Sequence, residues 1–205
     1  MPDVSIDGLD PKSFIVEESP GDFDYIFSVK KISLLKGGEF QQKRKDVNRF
    51  WRENQGAKLN LIDLNDSKIK TQIIETIKIW ENNKNIMKKE YEIMHELSAT
   101  NNLFESDCID LLLCLGLYSE DKMLGYAIGE YTNNKYVIVH FLRSILSSVG
   151  VNEVLMQGYG KYLESLNIEY INFESDLDHE SIRRFKTSWR PINFLKRYTV
   201  RYTHT

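Results

Sequence analysis

The feature that most constrains this chain is a fixed succession of apolar periods from residue 57 onward. Leu59–Leu64 is a short apolar strand, and Asn65 and Asp66 offer an N-cap for a helix immediately after it. Ile69, Ile73, Ile77 and Trp80 then recur at helical spacing, predicting a helix from about Ser67 to Asn83. A second helix is predicted over roughly Lys89 to Thr100, with Ile93, Met94 and Leu97 inward. The period then drops to two. Asp110–Tyr118, Met123–Tyr131 and Lys135–Phe141 are three strands joined by Ser119–Lys122 and by Asn133–Asn134. Helical spacing returns at Val154, Leu155, Tyr159, Tyr162 and Leu163, predicting a helix over Val151–Leu166. A strand over Ile168–Phe173, a helix capped by Asp178 and running to Trp189, and an extended tail from Ile192 to Tyr202 complete the order. This β-α-α-β-β-β-α-β-α-β succession predicts a mixed sheet with helices on both faces, an α/β (α+β) architecture.

Upstream, residues 1–20 are acidic and broken by Gly8, Pro11 and Pro20, and are expected to be irregular. Residues 21–55 are expected to form a strand-helix arm. Phe23–Val29 is rich in β-formers, and in Gln41–Asn54 Val47, Phe50 and Trp51 share one helical face. Residues 56–205 form the main domain. At 205 residues, 41% hydrophobic and 28% charged, the chain has the mass for one real core and an extension. With 11 Gly and 4 Pro, collagen-like and low-complexity classes are excluded.

The most apolar run, Leu111–Tyr118, is far short of the ~20 residues that cross a bilayer, and the acidic start lacks a signal-peptide pattern. Cys108 and Cys114, in or beside one apolar run, are expected to be buried free thiols. A cytoplasmic location is expected, with peripheral contact at a membrane surface as a further expectation. No histidine or cysteine has a partner at metal-ligand spacing, so no metal is predicted.

Charge is segregated along the chain. His179–Arg201 holds Arg183, Arg184, Lys186, Arg190, Lys196, Arg197 and Arg201 against Glu180 alone, a net +6. Gln41–Glu53 carries +3 through Lys43, Arg44, Lys45, Arg49 and Arg52 against Asp46 and Glu53. The chain totals −3, so the rest carries about −12. Positive segments of this kind are candidate phosphate contacts, with a solvated helix face as the plain alternative. Arg183 and Lys186 fall on one helical face, with Arg190 about two turns beyond Arg183. Together they could hold phosphates, tRNA acceptor stem first and anionic lipid second. Lys43, Arg44 and Arg49 are a second candidate for phosphate or RNA contact.

Two stretches carry a resemblance. Phe23–Val29 followed by Lys43-Arg44 and Asn48-Arg49-Phe50 is one. Ile171-Asn172-Phe173-Glu174-Ser175-Asp176-Leu177, then Ile182-Arg183, Lys186, Ser188-Trp189 and Pro191, is the other, with Leu124–Glu130 between them. They resemble the C-terminal domain of phosphatidylglycerol lysyltransferases and its short relatives, over about residues 22–201. The resemblance implies the Gcn5-related N-acetyltransferase-like fold, with a splayed pair of central strands where donor and acceptor meet. It implies an aminoacyltransferase that moves an amino acid from its tRNA ester to a small polar acceptor or lipid headgroup. It also implies two tandem acyltransferase-like domains, of which the first is present here only as the arm. That first domain would then be supplied in cis or in trans. The family's two signature glycines are Asp178 and Ser181 here, and its tyrosine is Trp189.

On this basis Asp176 is the candidate receptor for the donor's α-amino group. Asn172 and Glu174, alternating on one strand face, join it as catalytic candidates, Glu174 as a base. Substrate-binding candidates are Arg183, Lys186, Ser188, Arg190 and His140, the last with a satisfied core histidine as its plain alternative. Arg143–Gly150 lacks the glycines of an acetyl-CoA pyrophosphate loop, so no cofactor is expected, acetyl-CoA included. Three readings stay open: aminoacyl or acyl transfer, a non-catalytic module binding RNA or anionic lipid through the basic C-terminal face, and CoA-dependent N-acetylation.

Overall fold

The computed structural model describes residues 5–82, 89–132, 135–145 and 149–203, without the side chains of 81–95. Its centre is a seven-stranded sheet. Strands β3 (Ala57–Leu61), β4 (Leu112–Ser119), β5 (Lys122–Tyr131) and β6 (Tyr136–Ser144) form an antiparallel run. β7 (Tyr170–Asn172) joins β6 in the one parallel pairing among the described residues. β2 (Asp24–Ser28) lies antiparallel to β7, and β8 (Asn193–Leu195) closes that edge. The sheet order is therefore β3-β4-β5-β6-β7-β2-β8.

Helices cover both faces. α1 (Val29–Leu34), α2 (Gln41–Glu53) and α5 (Val151–Ser165) bury Ile32, Phe50, Val154, Leu155 and Tyr159 against Leu115, Leu117, Ala127 and Val137. α3 (Ser67–Asn82) and α4 (Lys89–Phe104) lie on the other face, where Ile73 and Ile77 meet Cys114, Tyr126 and Ile128. Neighbouring β5 residues thus enter opposite cores, which is what a period of two demands. The predicted cap is present, with Lys68 N donating to Asp66 Oδ1 at 2.8 Å. α6 (Glu180–Ser188) and β9 (Tyr198–Tyr202) complete the chain.

The mixed sheet expected from the element order is the observed one, and the splay that the resemblance implies has a local cause. β6 and β7 pair only as far as Ile138 and Asn172. Beyond that point Phe173 N donates to Tyr25 O (2.9 Å), and Tyr25 N donates to Glu174 O (3.1 Å). The chain after β7 therefore follows β2 while β6 runs on to Ser144, and a cleft opens between them.

Four expectations are corrected. Residues 14–18 are not irregular: β1 (Phe14–Glu18) pairs antiparallel with β9 as a two-stranded ribbon. Four of its five residues are exposed, so no alternation marks it, and backbone pairing alone defines it. The first arm strand stops at Ser28, whose Oγ accepts from Lys31 N and starts α1, a helix too short to show a full period. α6 is capped at His179, not Asp178. Asp178 sits left-handed at φ 60°, its N–H held by Asp176 Oδ1 at 2.9 Å. This is one of the family's glycine positions, and Asp is among the few other residues that tolerate it. Cys108 is exposed, and only Cys114 is buried. The Asn133–Asn134 turn and the inward side chains of Ile93 and Met94 lie outside the described residues. Among those residues no helix is long and apolar enough to cross a membrane.

Candidate active site

The cleft between β6 and β7 has a volume of about 430 Å³. Leu142, Phe173, Ile182 and Phe185 give it an apolar wall, and Leu177 and Ile182 stand partly exposed at its rim. Its polar lining includes His140, Arg143, Asn152, Glu174 and Lys186. Such a mixture, apolar with a few convergent polar groups, is the usual make-up of a small-ligand site.

The loop from Phe173 to Asp178 sets the geometry. Lys186 is buried and donates from Nζ to three of its carbonyls: Phe173 O (2.6 Å), Ser175 O (2.7 Å) and Glu174 O (3.2 Å). Burial lowers its pKa to about 8. Asn172 accepts Glu174 N–H at 2.8 Å and donates to Asp24 Oδ2 at 3.1 Å. Glu174, clamped at both its N–H and its C=O, takes a left-handed φ of 55° and turns its side chain into the cleft. There Glu174 Oε1 lies 3.0 Å from His140 Nδ1, and Glu130 Oε2 lies 3.3 Å from His140 Nε2. The Glu174 hydrogen bond, with Glu130 adding to it, raises the His140 pKa above its ordinary 6.5 more than burial lowers it.

Asp176, two residues on, has the opposite surroundings. It is 1% exposed. Its oxygens accept from Tyr25 Oη (2.6 Å), Asp178 N (2.9 Å), Arg183 Nε (2.8 Å) and Arg183 Nη2 (3.0 Å). The Arg183 fork, helped by Tyr25 and the Asp178 N–H, holds its pKa down to about 2. Burial, with the Asp176 carboxylate beside it, pushes the Tyr25 phenol up to about 12. Asp176 thus turns to the protein's own donors and fixes the start of α6, rather than standing open to an incoming amine.

The basic candidates are not gathered into one phosphate site. Arg183 is engaged with Asp176 and Asp178, and Lys186 points into the protein. Arg190 is exposed at a left-handed helix end, and Ser188 Oγ donates to Phe185 O at 2.7 Å. Further along, Lys196 pairs with Glu18 (2.6 Å), Arg197 with Asp24 (3.3 Å) and Arg201 with Glu17 (3.6 Å). The acidic N-terminal segment has folded onto the basic C-terminal one. On α2, Lys43 reaches Glu153 at 3.4 Å and lies 4.3 Å from the Trp189 ring centroid, where the family has tyrosine. Arg44 donates to Leu35 O and Gly37 O behind α1, and Arg49 pairs with Glu53 at 2.9 Å.

Sequence reasoning missed Glu130 and Arg143. Arg143 forms a fork with Glu96 (2.6 and 3.1 Å) and lies 5.1 Å from the Trp80 ring. Strand parity placed neither residue beside β7, because the chain beyond β7 leaves β6. Gly150 also has a packing reason: at φ 91°, any Cβ there would meet Asp46 O at 2.3 Å. Among the described residues no three histidine, cysteine or carboxylate side chains converge in a way that could hold a metal ion.

The family model described as phosphatidylglycerol lysyltransferase, C-terminal, matches residues 10–201. No curated protein sequence matches the chain. Among solved structures, a conserved protein of unknown function from Bacteroides thetaiotaomicron superposes with a TM-score of 0.84 at 23% identity, over 98% of this chain and 66% of that one. L-PGS from Bacillus licheniformis gives 0.63 at 12% identity, over 93% and 62%. A tandem GNAT protein from the clavulanic acid biosynthesis pathway gives 0.51 at 8% identity, over 91% and 55%. The chain therefore spans less than two thirds of each of these chains, and at such identities the likeness is one of fold.

Proposed function

The chain belongs to the phosphatidylglycerol lysyltransferase C-terminal family, and from that premise we propose that it is an acyltransferase of the aminoacyl type, with its donor held in the β6–β7 cleft. The observation that carries the reading is Glu174, a half-exposed carboxylate fixed by its own backbone at the mouth of a cleft with an apolar wall. A small amino acid presents a cation and an apolar stem a few ångströms apart, and the cleft offers partners for both. In this reading Glu174 receives the donor's α-ammonium group, the part first expected of Asp176. Asp176, Asn172 and Lys186 hold the loop that aims Glu174.

An aminoacyl ester is already activated. Placing an acceptor hydroxyl or amine against its carbonyl supplies much of the rate, so the chemistry needs no side-chain nucleophile. A tRNA ester as donor and a lipid headgroup or small polar molecule as acceptor complete the proposal. A further acyltransferase-like unit, in cis or in trans, remains part of it. The non-catalytic reading loses its main support, because the basic C-terminal segment is paired with acids along most of its length.

The test is transfer by the purified full chain from tRNA charged with radiolabelled amino acids, lysine first. Anionic-lipid vesicles and small hydroxyl compounds are offered as acceptors, and acetyl-CoA serves as the comparison donor. Label moving to an acceptor in wild type and not in Glu174→Gln is the expected result. Transfer from acetyl-CoA alone, or no transfer from any charged tRNA either by the chain alone or with an acyltransferase-like first domain supplied in trans, overturns the proposal.

A further inference from the structure

Glu130, His140 and Glu174 come from three different places in the chain: the end of β5, the middle of β6 and the loop after β7. They meet as a carboxylate–imidazole–carboxylate line, 3.3 and 3.0 Å between partners. All three are accessible, with side-chain exposures of 45, 28 and 48%. The imidazole thus uses both nitrogens without being sealed in. The φ of 55° at Glu174 is costly for a residue with a side chain, and it persists because Asn172, Lys186 and the Tyr25 N–H each hold its backbone. The strain turns Glu174 toward His140. Other charged groups around the line are Lys186 of α6, behind the Glu174 carbonyl, and Arg143 further along β6, paired with Glu96 of α4.

We propose that this line is the proton-transfer device of the reaction, with Glu174 and His140 exchanging protons with the reacting oxygens and Glu130 positioning the imidazole. The inference rests on the acyl-transfer reading above. The acceptor hydroxyl attacks the ester carbonyl carbon. A carbon–oxygen bond forms, and the hydroxyl proton passes to the Glu174 carboxylate. The tetrahedral intermediate then collapses. The bond to the departing ribose oxygen breaks, and that oxygen takes the Nδ1 proton of the His140 imidazolium, while Nε2–H stays hydrogen-bonded to Glu130. Glu174 returns its proton to His140 across their shared hydrogen bond. One proton has moved from acceptor to leaving group, and the protein ends as it began. The carboxylate can also face the donor ammonium, because each of its two oxygens accepts more than one hydrogen bond.

The experiment compares wild type, His140→Gln and Glu130→Gln as full chains. Transfer kinetics are measured across pH, and the His140 ring is titrated by NMR without substrate. His140→Gln should lower kcat by on the order of 100-fold, as for loss of a general acid, with KM for charged tRNA within about twofold. Wild-type activity should fall as pH rises through the His140 pKa, which lies above 6.5. Glu130→Gln removes a charge that stabilises the imidazolium, so this limb and the NMR midpoint should both move to lower pH. Wild type that transfers normally beside a fully active His140→Gln, or an unshifted Glu130→Gln limb, overturns the relay and leaves acyl transfer standing. If wild type transfers nothing, alone or with a first domain supplied in trans, the acyl-transfer reading fails and takes the relay with it.

Discussion

Charge gathers in two regions of this molecule, with different consequences. Along the β1–β9 ribbon and its approach, Lys196, Arg197 and Arg201 meet Glu18, Asp24 and Glu17. Most of these side chains are about half exposed. Water and salt screen the Glu17 and Glu18 pairs, and each contributes ~0–1 kcal/mol, while Asp24 is itself buried. Around the loop between β7 and α6, Asp176 of the loop and Lys186 of α6 are buried and saturated with hydrogen bonds, while Glu174 of the same loop is turned out to His140. The first region uses opposite charges to cancel a field. The second uses buried charges to hold one exposed carboxylate in place. Formal charge therefore says little about role here, and burial with partner count says much.

The contrast can be broken most forcefully at Asp176. Asp176→Ala leaves the Tyr25 hydroxyl and the Arg183 fork without their acceptor, and should cost about 3 kcal/mol, as for a broken buried pair. Urea unfolding measures it, and a loss under ~1 kcal/mol would show that the carboxylate is not structural. The pH dependence has a definite sign. Asp176 has a folded pKa near 2 against about 3.9 unfolded. Its stabilisation is full above pH ~4 and is lost as pH falls toward 2. Asp176→Asn should flatten the unfolding curve in that window.

Lys186→Met comes next. It strands three carbonyls and frees the Glu174 loop, for about 2 kcal/mol. Here the sign is reversed. A lysine held near 8 in the folded state and near 10.4 unfolded opposes folding below pH 8 and is relieved as pH rises between those values. Wild-type stability should gain from Lys186 over that range, and Lys186→Met should lack the gain. Chemical denaturation at pH ~7.5 and ~10 in both proteins decides it.

Glu174→Gln should do the reverse of Asp176→Ala. The side chain is half exposed, so stability should change by less than ~0.5 kcal/mol while aminoacyl transfer is lost. A thermal melt beside the transfer assay separates the two effects, and a large loss of stability would place Glu174 with the structural charges.

The smallest effects belong to the ribbon. Lys196→Ala and Arg201→Ala should each move stability by under ~0.5 kcal/mol. Wild type should bind tRNA weakly, with a shallow salt dependence. Glu17→Lys with Glu18→Lys should uncover the basic segment and steepen the slope of log K against log salt by about 0.7 to 0.9 per phosphate gained. Titrations at about 50 and 200 mM salt would show this. A steep wild-type slope would mean that the pairs do not cancel the field.

What the sequence determined by itself is whatever repeats with a short period. The β4–β5–β6 meander, the α3 and α5 helices and the order of elements were legible because apolar spacing is a local property, with a period of 3.6 residues in a helix and two in a strand. The loop from Asn172 to Asp178 was legible as a candidate site through its resemblance to a family signature. The roles within it were not. Which of Glu174 and Asp176 faces the cleft depends on left-handed turns and on Tyr25 and Arg183, one of them some 150 positions away. The ribbon escaped because an exposed strand carries no alternation, and with it went the acids of residues 17 to 24 that cancel the basic tail. The Glu130–His140–Glu174 line likewise exists only because β7 hands its chain to β2 and opens the sheet. Charge pairing and cleft formation are decided by distances in space, and those depend on strand partners far apart in the chain, which no local period encodes.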